Sequence, residues 1–309
     1  MIRLALHALF VAAFAAGSAA AVAGAPASPF GAASAVKERP ITLPSSGALA
    51  FRGAIAMRPP FAAFGGISGV VAEGDGLVAV SDRGQWLRFR PVIKGGRLVG
   101  AENASSAPLL NDAGAALSKR GQDAEDIAPG GWVSFEGDHR IARYDEPGGP
   151  AVETLRHPDW EKLRSNGGLE AVAQDAKGQI WAIAERSWSE TTPFPVFIWN
   201  GVEWAHKALP RKDAYAVTTA AFAPDGALYL VERRFGLLAG FRTRIRRVVW
   251  GTGALPESDE VLLHLGRTAD NLEAAAFLSV DGRLHLILAS DDNFQPLQRN
   301  ILALYEVLS

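Results

Sequence analysis

The chain has 309 residues, of which almost half are hydrophobic, and a formal net charge of −2. A chain of this size and composition can bury a full core, and its balanced charge creates no long-range field that would attract nucleic acid or an anionic membrane surface. It has no cysteine, which excludes disulfides, thiol nucleophiles and thiolate metal sites.

The first residues are typical of a secretory signal. Arg3 precedes an Ala-rich apolar run that ends in the small-residue series Ala21, Val22, Ala23, which predicts a signal peptide over residues 1–23. The alternative is a membrane anchor, but no second spanning segment follows. We expect export to a bacterial periplasm or the medium, a flexible lead-in over 24–40, and one domain over 41–309. The mature chain should be a monomer without an integral membrane span.

Beyond residue 40 the chain consists of paired apolar runs separated by Gly-containing turns, the pattern of an all-β protein. Five units share one pattern. Each begins with a small or acidic residue, continues with a strand, a turn and a second strand, and ends with an acidic residue. The units are 66–84, 124–138, 168–187, 217–235 and 271–294. Their spacing of about 45 to 60 residues predicts a β-propeller of four-stranded antiparallel sheets. We predict six blades, the sixth formed by residues 47–57 and 301–307; seven is the alternative.

The polar ends of the strands should meet at one rim of this ring. The two strands of a unit are joined by a tight turn and are therefore antiparallel, so that the first strand starts where the second one ends. If the first strand of each unit is innermost, five pairs surround the mouth of the central channel: Ser68 and Asp82, Glu125 and Glu136, Glu170 and Glu185, Thr219 and Glu232, and Glu273 and Asp291.

Two interpretations of this acidic rim remain open. Arginines follow three of the acids, at Arg83, Arg186 and Arg233, and could form salt bridges that hold the ring together. Alternatively, the carboxylates bind a hard divalent cation while the arginines bind an anionic ligand. Ligands with oxygen atoms alone favour Ca²⁺, or Mg²⁺, over Zn²⁺.

The densest group of oxygen ligands predicts the position of the metal. Asp291, Asp292 and Asn293 are consecutive, and the same unit brings Asn271 and Glu273 near them. Asn166 stands before Glu170 much as Asn271 stands before Glu273. Other chemistries are disfavoured, because the histidines lack zinc-site spacing and "GGISG" lacks the spacing of a nucleophile elbow.

Several short motifs resemble a known family: "SDRG" (81–84), "DAEDIA" (123–128), "SFE" (134–136), "NGGLEAVA" (166–173), "DNLEAAA" (270–276) and "SDDNF" (290–294). Their order and spacing are similar to those of the phytase-like family of exported bacterial proteins, labelled "esterase-like activity of phytase". The resemblance runs from about residue 50 to the end of the chain. It implies a propeller whose acids are suspected to carry phosphoester hydrolysis. Ala274 departs from the family, which commonly has Gly after the preceding Glu.

The resemblance and the rim together lead to one hypothesis, a metal-dependent phosphoester hydrolase acting on a small anionic substrate. Its expected metal ligands are Glu125, Glu170, Glu273, Asp291, Asp292 and Asn293. Its expected catalytic residues are Glu136 and Glu185 as proton acceptors and Arg83, Arg186 and Arg233 as stabilisers of negative charge. Asp82, Asn166, Glu232 and Asn271 complete the rim. The alternatives are a non-catalytic propeller that binds a ligand or partner in the cell envelope, and a calcium-dependent lactonase-type esterase.

Overall fold

The computed structural model of the chain describes residues 30–163, 167–185, 192–237 and 240–308. These residues form an all-β propeller, as the repeat predicts. Strands β1 (Lys37–Ile41) and β2 (Leu49–Arg58) come first. Blade 1 then consists of β3 (Ile67–Glu73), β4 (Gly76–Ser81), β5 (Gln85–Lys94) and β6 (Arg97–Pro108). Blade 2 consists of β7 (Ala124–Ala128), β8 (Trp132–Phe135), β9 (Arg140–Tyr144) and β10 (Ala151–Leu155).

The next two blades repeat this meander. Blade 3 consists of β11 (Leu169–Gln174), β12 (Ile180–Ala184), β13 (Phe194–Trp199) and β14 (Trp204–Leu209). Blade 4 consists of β15 (Ala216–Phe222), β16 (Leu228–Gly236), β17 (Gly240–Val249) and β18 (Ser258–Leu265). Short 3₁₀ helices, Pro158–Lys162 and Arg267–Ala269, precede the inner strands of blade 3 and blade 5.

Blade 5 is built from both ends of the chain. Its inner strands β19 (Leu272–Val280) and β20 (Arg283–Ser290) are followed by β21 (Asn300–Val307), and β2 and β1 add to its outer side. The prediction of six blades is therefore wrong: the described residues form five sheets. The two terminal segments do pair with each other, but β21 also pairs with β20. They supply the outer strands that the fifth unit lacks instead of forming another blade.

The first strand of every unit lies innermost. β3, β7, β11, β15 and β19 each contact the next around the ring, and β19 contacts β3 to close it. Apolar side chains fill the spaces between neighbouring blades in five separate clusters. Burial of this apolar surface is the main favourable term in the stability of the ring. The closed arrangement also places the starts of all five inner strands around one opening.

The residues that the structure describes begin at residue 30, before the predicted domain start at residue 41. The backbone N–H of Gly31 donates to Ser106 at 3.1 Å, and that of Ser34 donates to Ala104 at 2.7 Å. Residues 30–36 thus run along β6, and β1 is an edge strand. Residues 30–36 and β1 up to Pro40 belong to the segment 24–40 that the sequence predicts to be the lead-in. The predicted signal peptide, 1–23, lies outside the described residues. In the described part of the chain, no helix has the length and apolar character needed to cross a membrane.

Candidate functional site

The same β-bulge recurs at the rim end of all five inner strands. The register between the first and second strand of each unit shifts by one residue there, which leaves one residue of the inner strand without a cross-strand partner. A bulge re-aims the extra side chain. The five bulged residues are Ser68, Glu125, Glu170, Thr218 and Glu273.

The residue that follows the second strand lies beside the bulge. In four blades its backbone N–H donates to the carbonyl of the residue two positions before the bulge, at 2.9 to 3.1 Å. The pairs are Asp82 with Gly66, Glu136 with Asp123, Glu185 with Gly168, and Asp291 with Asn271. In blade 4, Ala216 instead pairs with Arg233 in the strand ladder. The equivalent pair in this blade is therefore Thr218 with Arg233, one residue away from the predicted Thr219 and Glu232. A cation thus takes the position that carboxylates occupy in the other four blades.

Eight carboxylates gather at this mouth and interact with one another. Burial, and then the nearby Glu170, raise the pKa of Glu125 well above its usual range. Burial and the Glu273 carboxylate raise the pKa of Asp291 to about 9. Burial and Asp123 raise that of Asp82 to about 6. We call the set the rim cluster: Asp82, Asp123, Glu125, Glu136, Glu170, Glu185, Glu273 and Asp291.

Three members of the rim cluster could hold a metal ion together. One carboxylate oxygen from each of Asp123, Glu125 and Glu136 lies within 4.8 Å of the others. The backbone N–H groups of Gly167 and Gly168 both donate to Oε1 of Glu136, the latter at 2.8 Å, which fixes this side chain. Asp123 is not among the residues that the sequence predicts for the site. The available signal was its spacing, since it stands two residues before Glu125 as Asn271 stands before Glu273.

Arg233 holds the opposite side of the cluster. Its Nη1 donates to Oδ1 of Asn271 at 2.8 Å and contacts the Glu273 carboxylate, and its Nη2 lies 3.6 Å from Oε1 of Glu185. These carboxylates and Glu170 raise the pKa of Arg233 despite its burial. The amide nitrogen of Asn271 is buried and has no hydrogen-bond partner. A donor is therefore available next to the acids.

The predicted oxygen cluster at 291–293 separates in the structure. Asp291 joins the rim cluster. Asp292 instead accepts hydrogen bonds from the backbone of Gly66 at 2.9 Å and from Nδ2 of Asn300 at 2.8 Å. Asn293 is exposed, and its side chain donates to Gln298 at 2.8 Å. Asp292 and Asn293 therefore organise the loop after β20.

The side chain of Glu232 lies away from the mouth and forms buried salt bridges. Its carboxylate is buried between Arg244 and Arg246, and Nη2 of Arg246 also contacts Asp259 at 2.6 Å. Arg83 stays beside Asp82, and its guanidinium lies 3.3 Å from the ring centroid of Phe294. Two further predicted site residues, Asn166 and Arg186, lie outside the described residues.

Asp126 occupies the central channel below the rim cluster. Its Oδ2 accepts from the backbone N–H of Val172 at 3.1 Å, from Oγ1 of Thr219 at 2.9 Å and from the N–H of Ala220 at 3.4 Å. This carboxylate connects the inner strands of blades 2, 3 and 4. Burial raises its pKa well above the usual range although these donors oppose the shift. In the sequence Asp126 is only one residue of the "DAEDIA" motif, because its role depends on contacts between blades.

The fold and the site define a β-propeller with a carboxylate-rich channel mouth. The family model described as "Phytase-like: Esterase-like activity of phytase" matches residues 62–294. The chain belongs to this phytase-like family, as the sequence motifs indicated. No curated protein sequence matches the chain significantly.

Several solved structures are similar to the chain at low sequence identity. A luciferin-regenerating enzyme is 12% identical, with a TM-score of 0.44, and the match covers 80% of this chain and 93% of that one. A putative gluconolactonase is 13% identical, with a TM-score of 0.44 and coverage of 86% and 98%. The Bombyx mori GH32 β-fructofuranosidase BmSUC1 is 10% identical, with a TM-score of 0.44 and coverage of 87% and 62%. None of these similarities bears on the activity of this chain.

Proposed function

We propose that the protein is a metal-dependent hydrolase of ester bonds, with phosphoesters as its first candidate substrates. The convergence of eight carboxylates on one channel mouth supports this proposal. Two cations lie beside them among the described residues, Arg233 and Arg83, so the acids outnumber the cations. Crowded carboxylates are unfavourable unless they are protonated or compensated by further cations. A bound divalent cation would supply that compensation.

The donor set fits a hard cation. All candidate ligands are oxygen atoms, which suits Ca²⁺ first and Mg²⁺ second. In our proposal Asp123, Glu125 and Glu136 hold the ion, with Glu170 next to them. Glu273 and Asp291 form the second acidic side of the mouth. Asp292 and Asn293 are not included in the ligand set, because they bind Gly66, Asn300 and Gln298.

The residues of the chain have distinct roles in this proposal. A bound divalent ion would polarise the phosphoryl group and lower the pKa of a bound water. Glu185 would accept the proton of the attacking water as the ester P–O bond breaks, and the leaving oxygen would take up a proton from solvent. Arg233 and Arg83 would stabilise the negative charge that develops on the phosphoryl oxygens. The same role stays a prediction for Arg186.

A substrate panel tests the proposal. The chelated protein is assayed on a phosphomonoester, a phosphodiester, a carboxylic ester and a lactone, with Ca²⁺, Mg²⁺ or Mn²⁺ added back. We expect turnover of an ester with one of these ions, and a loss of roughly 100-fold or more in Glu125→Gln. Glu146→Gln, a change of an exposed acid in the turn after β9, is the matched control. Turnover of the lactone alone would favour the lactonase-type alternative.

A non-catalytic propeller is the second candidate. The contacts of Arg233 with Glu273 and Glu185 favour it, because arginines then neutralise part of the rim without a metal. In this case no member of the panel would be hydrolysed with any ion. The acidic mouth would instead recognise a ligand or a partner in the cell envelope.

We also propose that the protein is exported to the periplasm or the medium. The support is the signal-like sequence of residues 1–23. Amino-terminal sequencing of the protein from fractionated cells tests this proposal. A mature terminus near Gly24 in the periplasm or medium is expected, whereas an intact Met1 in the cytoplasm would contradict it.

A further inference from the structure

The hairpin of β16 and β17 extends beyond the rim. The second strands of the other blades end one residue before the rim acid, at Ser81, Phe135, Ala184 and Ser290. In blade 4, Arg233 takes the position of that acid, yet β16 continues to Gly236 and pairs there with Gly240 of β17. β16 is therefore four residues longer at this end than its equivalents, and the extension lies next to the rim cluster.

The face of this extension that continues from Arg233 is apolar. Side chains two residues apart on a strand share one face, so Phe235 lies on the same face as Arg233. Its cross-strand partner is Phe241, and the two ring centroids are 5.1 Å apart. The guanidinium of Arg233 lies 6.0 Å from the Phe241 ring. Arg233 thus connects the aromatic pair to Glu273 and Glu185.

Solvent has access to this apolar surface. Phe235 is 59% exposed and Leu237 is 95% exposed, whereas large apolar side chains are favoured in the interior. We call Phe235, Leu237 and Phe241 the hairpin wall. Its continuity with the rim cluster through Arg233 points to a ligand that spans both surfaces.

We propose that the hairpin wall binds an aryl or acyl group of the substrate while the rim cluster holds its reacting ester group. The identity of the reacting group rests on the proposed function. The wall adds a substrate class, namely esters with one apolar substituent. The charge of the mouth agrees with this class, because a polyanionic substrate would meet an excess of carboxylates, whereas an apolar substituent gains free energy when it covers exposed aromatic surface.

Matched pairs of small ligands test the wall without turnover. Titration calorimetry with Ca²⁺ present compares benzylphosphonate with methylphosphonate, and N-benzylacetamide with N-methylacetamide as a neutral pair. We expect the benzyl compounds to bind about tenfold more tightly, as burial of a phenyl ring allows. In Phe235→Ser, and in the Phe235→Ser, Leu237→Ser double variant, the preference should fall below about threefold. Val202→Ser should retain the preference for the benzyl compounds. Val202 is 83% exposed and lies in the turn between β13 and β14, at the end of blade 3 away from the rim.

The outcomes separate this inference from the proposed function. A benzyl preference that depends on Phe235, found without hydrolysis of any panel ester, would support the hairpin wall as a binding surface and contradict the proposed hydrolase activity. Equal affinities within both pairs, no binding of either pair, or a preference that survives in both variants overturns the wall. So does a dimer that Leu237→Ser converts to a monomer, because a second copy would then cover this surface.

Discussion

The metal-free protein should lose stability as the pH rises from 5 to 9. The pKa values of Asp82 and Asp291 are raised from 3.8 to about 6 and about 9, so the native state holds protons that the unfolded chain has released. Their stabilising contribution is complete below pH 3.8 and is lost as the pH rises through the native values. For Asp82 alone the full shift corresponds to at most about 3 kcal/mol, of which about 1.4 kcal/mol is lost above pH 5. This loss above pH 5 equals a decrease in Tm of roughly 3–5 °C.

Calorimetry of the chelated protein at one-unit pH steps measures this loss. His157 contributes the opposite slope near pH 6, because burial lowers its pKa. The comparison with Asp82→Asn removes that contribution. This variant should show a flatter curve between pH 5 and 7, whereas Asp112→Asn, a change of an exposed acid, should follow the wild type. A wild-type Tm that is constant or rises over the whole range would refute the reasoning.

Addition of Ca²⁺ should reverse the effect at high pH. A cation that binds the ionised carboxylates of the native state adds about 2.7 kcal/mol at a hundredfold excess over its Kd. The stabilisation should grow from pH 5 to pH 9, because protons and metal compete for the same oxygens. No stabilisation by Ca²⁺, Mg²⁺ or Mn²⁺ at any pH would favour the non-catalytic propeller.

Four further substitutions have distinct expected results. Glu170→Gln and Asp291→Asn should each abolish metal-dependent turnover; unchanged rates in both would contradict the proposed site. Glu232→Gln should lower the free energy of unfolding by about 3 kcal/mol, because the buried Arg244 and Arg246 lose the carboxylate that lies between them, but the Tm increase with Ca²⁺ should persist. Loss of the Ca²⁺-dependent Tm increase in this variant would show that Glu232 belongs to the metal site. Asp126→Ala should cost about 3 kcal/mol in urea unfolding, since buried donors lose their acceptor; an unchanged midpoint would show that the channel contacts contribute nothing.

The sequence alone was sufficient to predict the propeller and the location of its acidic rim. Alternating apolar residues and Gly-containing turns are local signals, and antiparallel pairing brings the polar ends of each hairpin to one side. For this reason Glu125, Glu170, Glu273 and Asp291 could all be assigned to one mouth before any contact between blades was known.

Only the tertiary structure decided the blade count and the members of the site. The partners of residues 47–57 and 301–307 are distant in sequence, so the sequence could not show that they complete blade 5. The recurrent bulge inserts one residue, and a shift of one residue moves a side chain to the other face of a strand. That shift brings Arg233 to the mouth and buries Glu232 among arginines. The loop after β20 likewise separates Asp291 from Asp292, because backbone contacts there, and not sequence proximity, set where each carboxylate lies.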